Sequence, residues 1–247
     1  MTTPTDVRAL YVHVPFCRAR CGYCDFYSEL YRADAVQPLL NALSTELAGY
    51  ASQRELALET VFIGGGTPTV LPAEALKQLL HICTIVARGR PSEFTVEANP
   101  ATIDAQKAAV LVSAGVNRVS MGAQSFEPAE LSVLERTHRP EQVPETIAIC
   151  RSAGVRAVSL DLIFGIPGQS LQSWLFSLDQ AIALEPEHIS CYGLTYEPGT
   201  RLHAQAQARR VTPVDPDLEA DMYEAAIDRL ASAGFAQYEI SNFARPG

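Results

Sequence analysis

Near its start the chain reads Tyr11-Val-His-Val-Pro-Phe-Cys17-Arg-Ala-Arg-Cys21-Gly-Tyr-Cys24-Asp-Phe26, and this stretch decides how the rest is interpreted. Its three cysteines have the spacing C-x3-C-x2-C, so three thiolates can hold three irons of a cubane cluster and leave the fourth iron open. A cube with four cysteine ligands is saturated and only passes electrons, whereas an open iron can bind a small molecule. The spacing therefore predicts a [4Fe-4S] cluster that does chemistry, with Cys17, Cys21 and Cys24 as its ligands.

Three other interpretations of these cysteines compete with the cluster. A zinc site usually has four Cys or His ligands, and the fourth would have to be a distant residue such as His81 or Cys83. A disulfide framework is typical of small secreted domains, and the three thiols could also be unrelated to one another. The other cysteines, Cys83, Cys150 and Cys191, lie in apolar surroundings and are predicted to be buried free thiols.

Composition and charge exclude several classes of function. The chain has 247 residues, of which 47% are apolar and 19% charged, which is ordinary for one α/β barrel domain. The net charge is −9 and no basic run is longer than Arg209-Arg210, so a nucleic-acid partner is not expected. The first six residues are polar, unlike a signal peptide, and no apolar run has membrane-spanning length. We therefore expect a cytoplasmic protein with at most peripheral membrane contact.

Short β-branched runs alternate with longer helical patterns, which is typical of βα units and a parallel sheet. Strands are predicted at about Ala9–Val14, Thr60–Ile63, Glu93–Ala98, Arg118–Gly122, Ala157–Leu162 and His188–Leu194, with a further strand at Gln237–Ile240. Helices are predicted at about 34–50, 72–86, 105–114, 140–153, 170–184 and 217–229. The chain is therefore predicted to form six βα units.

One face of the predicted strands is apolar, and the other carries Glu97, Arg118, Gln124 and Asp161. Such groups are costly in a dry interior but acceptable in an open lumen that holds a polar ligand. We therefore predict an α/β fold, a partial (β/α)6 barrel with a parallel sheet, outer helices and a site at the carboxyl ends of the strands. Two alternatives stay open, namely a structural ion pair between Glu97 and Arg118, and satisfied core positions for Gln124 and Asp161.

The second predicted strand runs into Gly64-Gly65-Gly66-Thr67-Pro68-Thr69. Glycines can bring bare backbone against a ligand and adopt positive φ angles. A lone glycine-rich turn is weak support for a binding site and could be only a flexible turn. In this order, after the cysteine loop, it is strong support for a ligand-binding role.

The cysteine loop, with Tyr23 one place before its last cysteine, resembles the cluster loop of the radical S-adenosylmethionine (SAM) enzymes. The longer string from Tyr11 to Phe26 is similar to one branch, the coproporphyrinogen III dehydrogenase family with the related HemW haem chaperones, and the likeness continues to the last residues. This resemblance implies a [4Fe-4S] cluster, SAM, reductive cleavage of SAM and an external electron donor, since the chain shows no flavodoxin-like domain.

The same resemblance implies roles for individual residues. The backbone of the glycine motif, Gly65, Gly66 and Thr67, would hold the methionine amino group of SAM, which Glu97 would also contact. The remaining SAM contacts would be Arg136 at the carboxylate, Gln124 and Asp161 at the ribose, and Gly165-Ile166-Pro167-Gly168 and Thr195 at the adenine, while Tyr11 would pack beside the cluster.

One position separates the two functions within this branch. The dehydrogenases have a further cysteine two places after the last cluster cysteine, where this chain has Phe26, and Cys24-Asp-Phe26 resembles the chaperones. The resemblance therefore implies a haem chaperone, with haem or a porphyrin and a haem-acceptor protein as partners. The alternatives are an oxygen-independent coproporphyrinogen III oxidase, another radical SAM activity, or a barrel without a cluster, so enzymatic activity is left open.

The resemblance also implies a domain division. Residues 1–232 would form the radical SAM core, and residues 233–247 would begin a C-terminal domain that is truncated here. The family's suspected haem segment would lie beyond Gly247, so weak haem binding is expected. The five histidines, His13, His81, His138, His188 and His203, are predicted to be structural.

Overall fold

The computed structural model describes residues 7–53, 56–87 and 89–246, so the polar segment 1–6 and Gly247 lie outside the described residues. The strands of the described part are β1 (Val7–Val14), β2 (Phe16–Cys17), β3 (Glu29–Leu30), β4 (Leu56–Gly65), β5 (Glu93–Ala98), β6 (Arg118–Gln124), β7 (Ala157–Phe164), β8 (His188–Gly193), β9 (Ala236–Glu239) and β10 (Asn242–Ala244). Its α-helices are α1 (Ala33–Gln53), α2 (Ala73–Ala87), α3 (Ala105–Ser113), α4 (Pro128–Val133), α5 (Gln142–Ala153), α6 (Leu171–Ala183), α7 (Arg201–Gln207) and α8 (Pro216–Ser232), and a 3-10 turn spans Pro68–Val70.

Six strands form a continuous parallel sheet in the order β1-β4-β5-β6-β7-β8, and β10 and β9 extend it antiparallel beyond β8. At least one α-helix lies between each parallel strand and the next. The predicted α/β fold with six parallel strands is therefore confirmed. In the described part of the chain, the pairing runs from β1 to β9 without closing on itself, which is compatible with the predicted partial barrel.

The helices pack on the apolar face of the sheet, as the alternation along the strands predicts. Val14, Ile63, Val96 and Val119 are fully buried in one apolar cluster with the apolar stripe of α2. A second cluster joins β6, β7 and β8 to α6 and α8 around Trp174, whose indole N–H donates to a backbone carbonyl of α8. This burial leaves the opposite, polar face of the sheet for the site.

The polar face holds an ion pair, although not the one considered from the sequence. Arg118 Nη1 lies 3.5 Å from Glu93 Oε1 and donates to Thr95 Oγ1 at 3.3 Å. Glu97 Oε2 instead accepts the backbone N–H of Gly65 at 2.9 Å. Among the described residues, the alternative ion pair between Glu97 and Arg118 is therefore not formed, and Glu97 remains oriented toward the glycine loop.

Several element bounds differ from the prediction. β4 begins at Leu56 rather than Thr60, since the alternate residues Leu56 and Leu58 are both buried. The elements β2, β3, α4, α7 and β10 were not predicted, and in the described part of the chain β9 joins the sheet through β10. The division at residue 232 stays a prediction. No helix in the described ranges has the length and apolarity needed to cross a membrane.

Candidate cluster and SAM site

The cysteine loop is closed at its two ends by a separate two-stranded sheet, formed by β2 and β3. Cys17 lies in β2, which pairs with β3, and the N–H of Tyr31 donates to Cys17 O at 2.8 Å. Within the loop, Gly22 donates to Leu134 O and accepts from the N–H of Leu202. These bonds hold the half-buried thiols of Cys17, Cys21 and Cys24 in one loop beside the carboxyl end of β1.

Two of the three sulfur atoms have polar neighbours from other elements. Cys17 Sγ lies 3.9 Å from Thr67 Oγ1, and Cys21 Sγ accepts from Arg136 Nη1 at 3.5 Å. Burial raises the pKa of both Cys17 and Cys24, since it disfavours the thiolates. Donors placed against sulfur suit thiolates that are bound to a metal cluster.

Among the described residues, the structure brings together neither a disulfide pair nor the ligand set that the zinc alternative requires. All six cysteines are free, and Cys83, Cys150 and Cys191 are buried, as predicted. Cys83 is fully enclosed on α2 in the helix-side core, and His81 is exposed on the same helix. Across residues 7–53, 56–87 and 89–246, no three His, Cys, Asp or Glu side chains converge as the ligands of one ion would. In a cubane each cysteine binds a different iron, so three half-buried thiols in one loop suit a cluster.

The glycine loop passes directly over the end of β1. Gly65 has the positive φ that was predicted, at 110°, and Gly66 donates to Val14 O at 2.8 Å. A Cβ on Gly66 would lie 2.7 Å from Phe16 O, so glycine is required there by protein backbone rather than by a ligand. Because Gly66 and Thr67 direct their N–H groups into the protein, an ammonium ligand, which has only donors, would use carbonyl oxygens.

Glu97 lies against this loop on the polar face. Its carboxylate accepts from Gly65, and a Cβ on Gly64 would lie 2.7 Å from Glu97 Oε2. Burial and the charge of Asp161 raise the pKa of Glu97 to about 7, although the Gly65 N–H and Arg118 act in the opposite direction. A cationic ligand group beside this carboxylate would favour its ionised form.

Arg136 connects the cysteine loop to β5 and β6. Its Nη2 donates to Gly122 O at 2.5 Å and to Asn99 Oδ1, and Asn99 Nδ2 in turn donates to Thr67 Oγ1 at 3.0 Å. Its Nε is buried and has no hydrogen-bond partner among the described residues. Sequence reasoning missed Asn99 as a site residue, although its position two residues after Glu97 on the same face was a usable signal.

Gln124 and Asp161 lie on neighbouring strands. Gln124 has a φ of 65° at a register shift of β6, and its Oε1 is buried with no hydrogen-bond partner in the part of the chain that the structure describes. Burial raises the pKa of Asp161 to about 6, although the Ser190 hydroxyl, Arg118 and Arg136 act in the opposite direction. Buried polar atoms without partners are rare in proteins, so Gln124 and Arg136 point to a polar ligand between them.

The remaining predicted contacts are Thr195 and residues 165–168, which follow strands β8 and β7, and Tyr11 on the polar face. Thr195 is exposed after β8, and residues 165–168 form a turn after β7. Tyr11 is 57% exposed, stacks on Phe62 at 6.0 Å between ring centroids, and lies 3.1 Å from His13 Nδ1 through its hydroxyl oxygen. The structure thus brings Tyr11 to the polar face, and its packing beside a cluster stays a prediction.

Four of the five histidines have hydrogen-bond partners within the protein, which supports the prediction that they are structural. His13 and His203 bond to backbone carbonyls, His138 lies 3.1 Å from Ala123 O, and His188 lies between Ser159 and Tyr238. His81 lines a surface groove of about 980 Å³ between α2 and α3, whose lining includes none of the predicted SAM or cluster residues. A smaller cavity of about 70 Å³ is lined by Cys21, Thr67, Asn99 and Arg136, among others.

Comparison with known families agrees with this geometry. The model of the Radical SAM superfamily matches residues 11–181, from the start of the cysteine string into α6. The chain belongs to the radical SAM superfamily. Membership implies an iron–sulfur cluster and SAM, and the thiols, the donors against them and the buried partnerless atoms fit both groups.

Curated relatives within the superfamily include haem chaperones. The chain is 40% identical to the haem chaperone HemW of Bacillus subtilis, covering 98% of this chain and 64% of the relative. It is 41% identical to HemW of Escherichia coli, covering 97% and 63%. The chain therefore spans less than two thirds of the length of these relatives. The solved structure of the radical SAM enzyme coproporphyrinogen III oxidase HemN from E. coli superposes with a TM-score of 0.86 at 26% identity, covering 98% of this chain and 56% of that one.

Proposed function

We propose that this chain is the radical SAM core of a haem chaperone of the HemW type. The observation that carries the proposal is its identity of 40% and 41% to two HemW chaperones over nearly all of its length. Phe26, at the position where the dehydrogenases have a further cysteine, agrees with it. Haem, a haem-acceptor protein and an external electron donor would be its partners, and the cytoplasm its compartment.

In this proposal, Cys17, Cys21 and Cys24 hold a [4Fe-4S] cluster. When bound, the cluster and SAM supply one-electron reductive chemistry, and the protein supplies position and electrostatics. Arg136 pairs with the SAM carboxylate by a charge-assisted hydrogen bond, which supplies a partner for its buried Nε. Gln124 accepts a ribose hydroxyl through its buried Oε1.

The remaining proposed contacts act on the two ends of SAM. The ammonium group of SAM binds to Glu97 and to the carbonyl groups of Gly65, Gly66 and Thr67. Its positive charge lowers the pKa of Glu97 from about 7, so the carboxyl group loses its proton. Asp161 contacts the ribose, and residues 165–168 and Thr195 contact the adenine. Tyr11 packs beside the cluster, and residues 233–247 begin a further domain.

A second function is favoured by one specific observation. The HemN structure from E. coli covers 98% of this chain at a TM-score of 0.86, so an oxygen-independent coproporphyrinogen III oxidase is the alternative. The two functions differ in the fate of the tetrapyrrole. An oxidase decarboxylates coproporphyrinogen III and consumes SAM in step, whereas a chaperone binds haem and releases it chemically unchanged.

The test incubates the reconstituted protein anaerobically with a reductant, SAM and coproporphyrinogen III, and measures porphyrin product and methionine. A parallel titration with haem follows the absorbance of bound haem. We expect no decarboxylated product and weak, reversible binding of unchanged haem. Conversion of coproporphyrinogen III in proportion to SAM consumption would refute the chaperone proposal. Tight stoichiometric haem binding would refute the prediction that the haem segment lies beyond Gly247.

A further inference from the structure

A buried polar cluster behind the site has no counterpart among the predicted functional residues. Ser125, Glu130, Gln169 and Ser177 are each less than 7% exposed. Ser125 Oγ donates to Glu130 Oε2 at 2.6 Å, and Gln169 Nε2 donates to the same oxygen at 3.0 Å. One carboxylate oxygen thus joins two residues, Ser125 and Gln169, that are 44 positions apart in sequence. We call Ser125, Glu130, Gln169 and Ser177 the Glu130 cluster.

The first segment is the turn that follows β6. Ser125 comes directly after Gln124, the residue with a φ of 65°. The N–H of Ser125 donates back to Ala123 O at 2.8 Å, and the N–H of Phe126 donates to Ser177 Oγ at 3.1 Å. A left-handed conformation of a residue other than glycine costs free energy and persists only where the surroundings hold it. The Glu130 cluster supplies that constraint.

The second segment is the turn that follows β7. Gln169 accepts the N–H of Ile166 through its Oε1 at 3.2 Å and donates its own N–H to Ile166 O at 2.8 Å. The same side chain therefore fixes the turn at residues 165–168 and contacts Glu130. Because Gln169 is only 4% exposed, water offers these groups little alternative hydrogen bonding.

We propose that Glu130 is a positioning residue that locks the turn after β6 to the turn after β7, in the one relative arrangement that binds the nucleoside part of SAM. This inference rests on the proposed function, in which Gln124 contacts the ribose and residues 165–168 the adenine. Glu130 itself touches no ligand, and it acts through Ser125 and Gln169. The methionine part of SAM lies at Glu97 and Arg136, whose side chains bond to other groups than the Glu130 carboxylate, so we expect only nucleoside binding to depend on that carboxylate.

The test compares two ligands on the cluster-reconstituted protein by isothermal titration calorimetry, S-adenosylhomocysteine and methionine. We expect Glu130→Ala to weaken S-adenosylhomocysteine binding roughly tenfold, since two buried hydrogen bonds are lost, and to leave methionine binding within about twofold. Glu130→Gln keeps an oxygen that can accept both bonds, so its affinity should stay within about threefold of the wild type. If Glu130→Ala does not fold, Gln169→Ala severs the same link and keeps the bond from Ser125.

The matched control is Asn117→Ala, which removes two hydrogen bonds to backbone groups near the amino end of β5. It should lower the melting temperature and leave both affinities unchanged. Equal losses of S-adenosylhomocysteine affinity in Asn117→Ala and Glu130→Ala would overturn the proposal, as would unchanged affinity in Glu130→Ala. A wild-type protein that binds neither ligand would instead refute the proposed function itself and the positioning role with it.

Discussion

Replacing Gly66 by alanine tests how the glycine loop and the cysteine loop are joined. The added Cβ would lie 2.7 Å from Phe16 O and 2.9 Å from the carbonyl carbon of Pro15, which are backbone atoms that cannot rotate away. The shift also weakens the bonds that Gly66 and Thr67 donate to Val14 and Phe16. Overpacking costs about 1–3 kcal/mol and each of the two weakened bonds about 1 kcal/mol, so the free energy of unfolding should fall by about 3–5 kcal/mol.

The assay is urea unfolding of the reduced, cluster-free protein, together with iron content after reconstitution. Gly49→Ala is the matched control, because a Cβ at this position in α1 would meet, among the described residues, no atom within 4 Å apart from the backbone of its own helix. That control should raise the free energy of unfolding by about 0.5–1 kcal/mol, as alanine favours helix. If Gly66→Ala retains wild-type stability to within about 0.5 kcal/mol, the packing argument is refuted. Retention of full iron content would refute the connection to the cysteine loop.

Three further predictions concern charge and ligation. Because the pKa of Glu97 is raised from 4.5 to about 7 in the folded protein, the wild type should lose stability relative to Glu97→Gln as the pH rises from about 4.5 to 7. Urea unfolding at pH 4 and pH 8 checks this, and an equal difference at both values would contradict it. Arg136→Lys keeps the positive charge but loses the planar guanidinium that can form two parallel hydrogen bonds, so SAM affinity measured by calorimetry should fall about tenfold. An unchanged dissociation constant would refute the proposed contact of Arg136 with the SAM carboxylate. Cys83→Ala should leave the iron content after reconstitution unchanged while Cys17→Ala lowers it, and iron loss in Cys83→Ala would revive the distant-ligand alternative.

The sheet was predictable wherever alternation was strict. β5 occurs at Glu93–Ala98, as predicted, because its apolar and polar residues alternate without interruption. α4 and α7 were missed, since helices of six and seven residues are too short to display a helical period. β10 was missed because three residues between turns carry no pattern of their own.

The sequence predicted which residues form the site better than it predicted the hydrogen bonds between them. The sequence indicated that Glu97, Gln124 and Asp161 would reach one face, because parallel strands present their carboxyl ends together. The hydrogen bonds from Ser125 and Gln169 to Glu130 join segments far apart in sequence, so no local sequence pattern predicts them. Gly66 shows the same limit. Its glycine predicted a close approach of its backbone to a ligand, but the backbone lies close to Phe16 instead.

The most direct test of the central claim, an open-iron cluster that binds SAM, is electron paramagnetic resonance of the anaerobically reconstituted and reduced protein, with and without SAM. We predict the signal of a reduced cubane that shifts on addition of SAM and is lost in the triple variant with Cys17, Cys21 and Cys24 replaced by alanine. A cluster signal indifferent to SAM, or zinc retained in place of iron, would contradict the account.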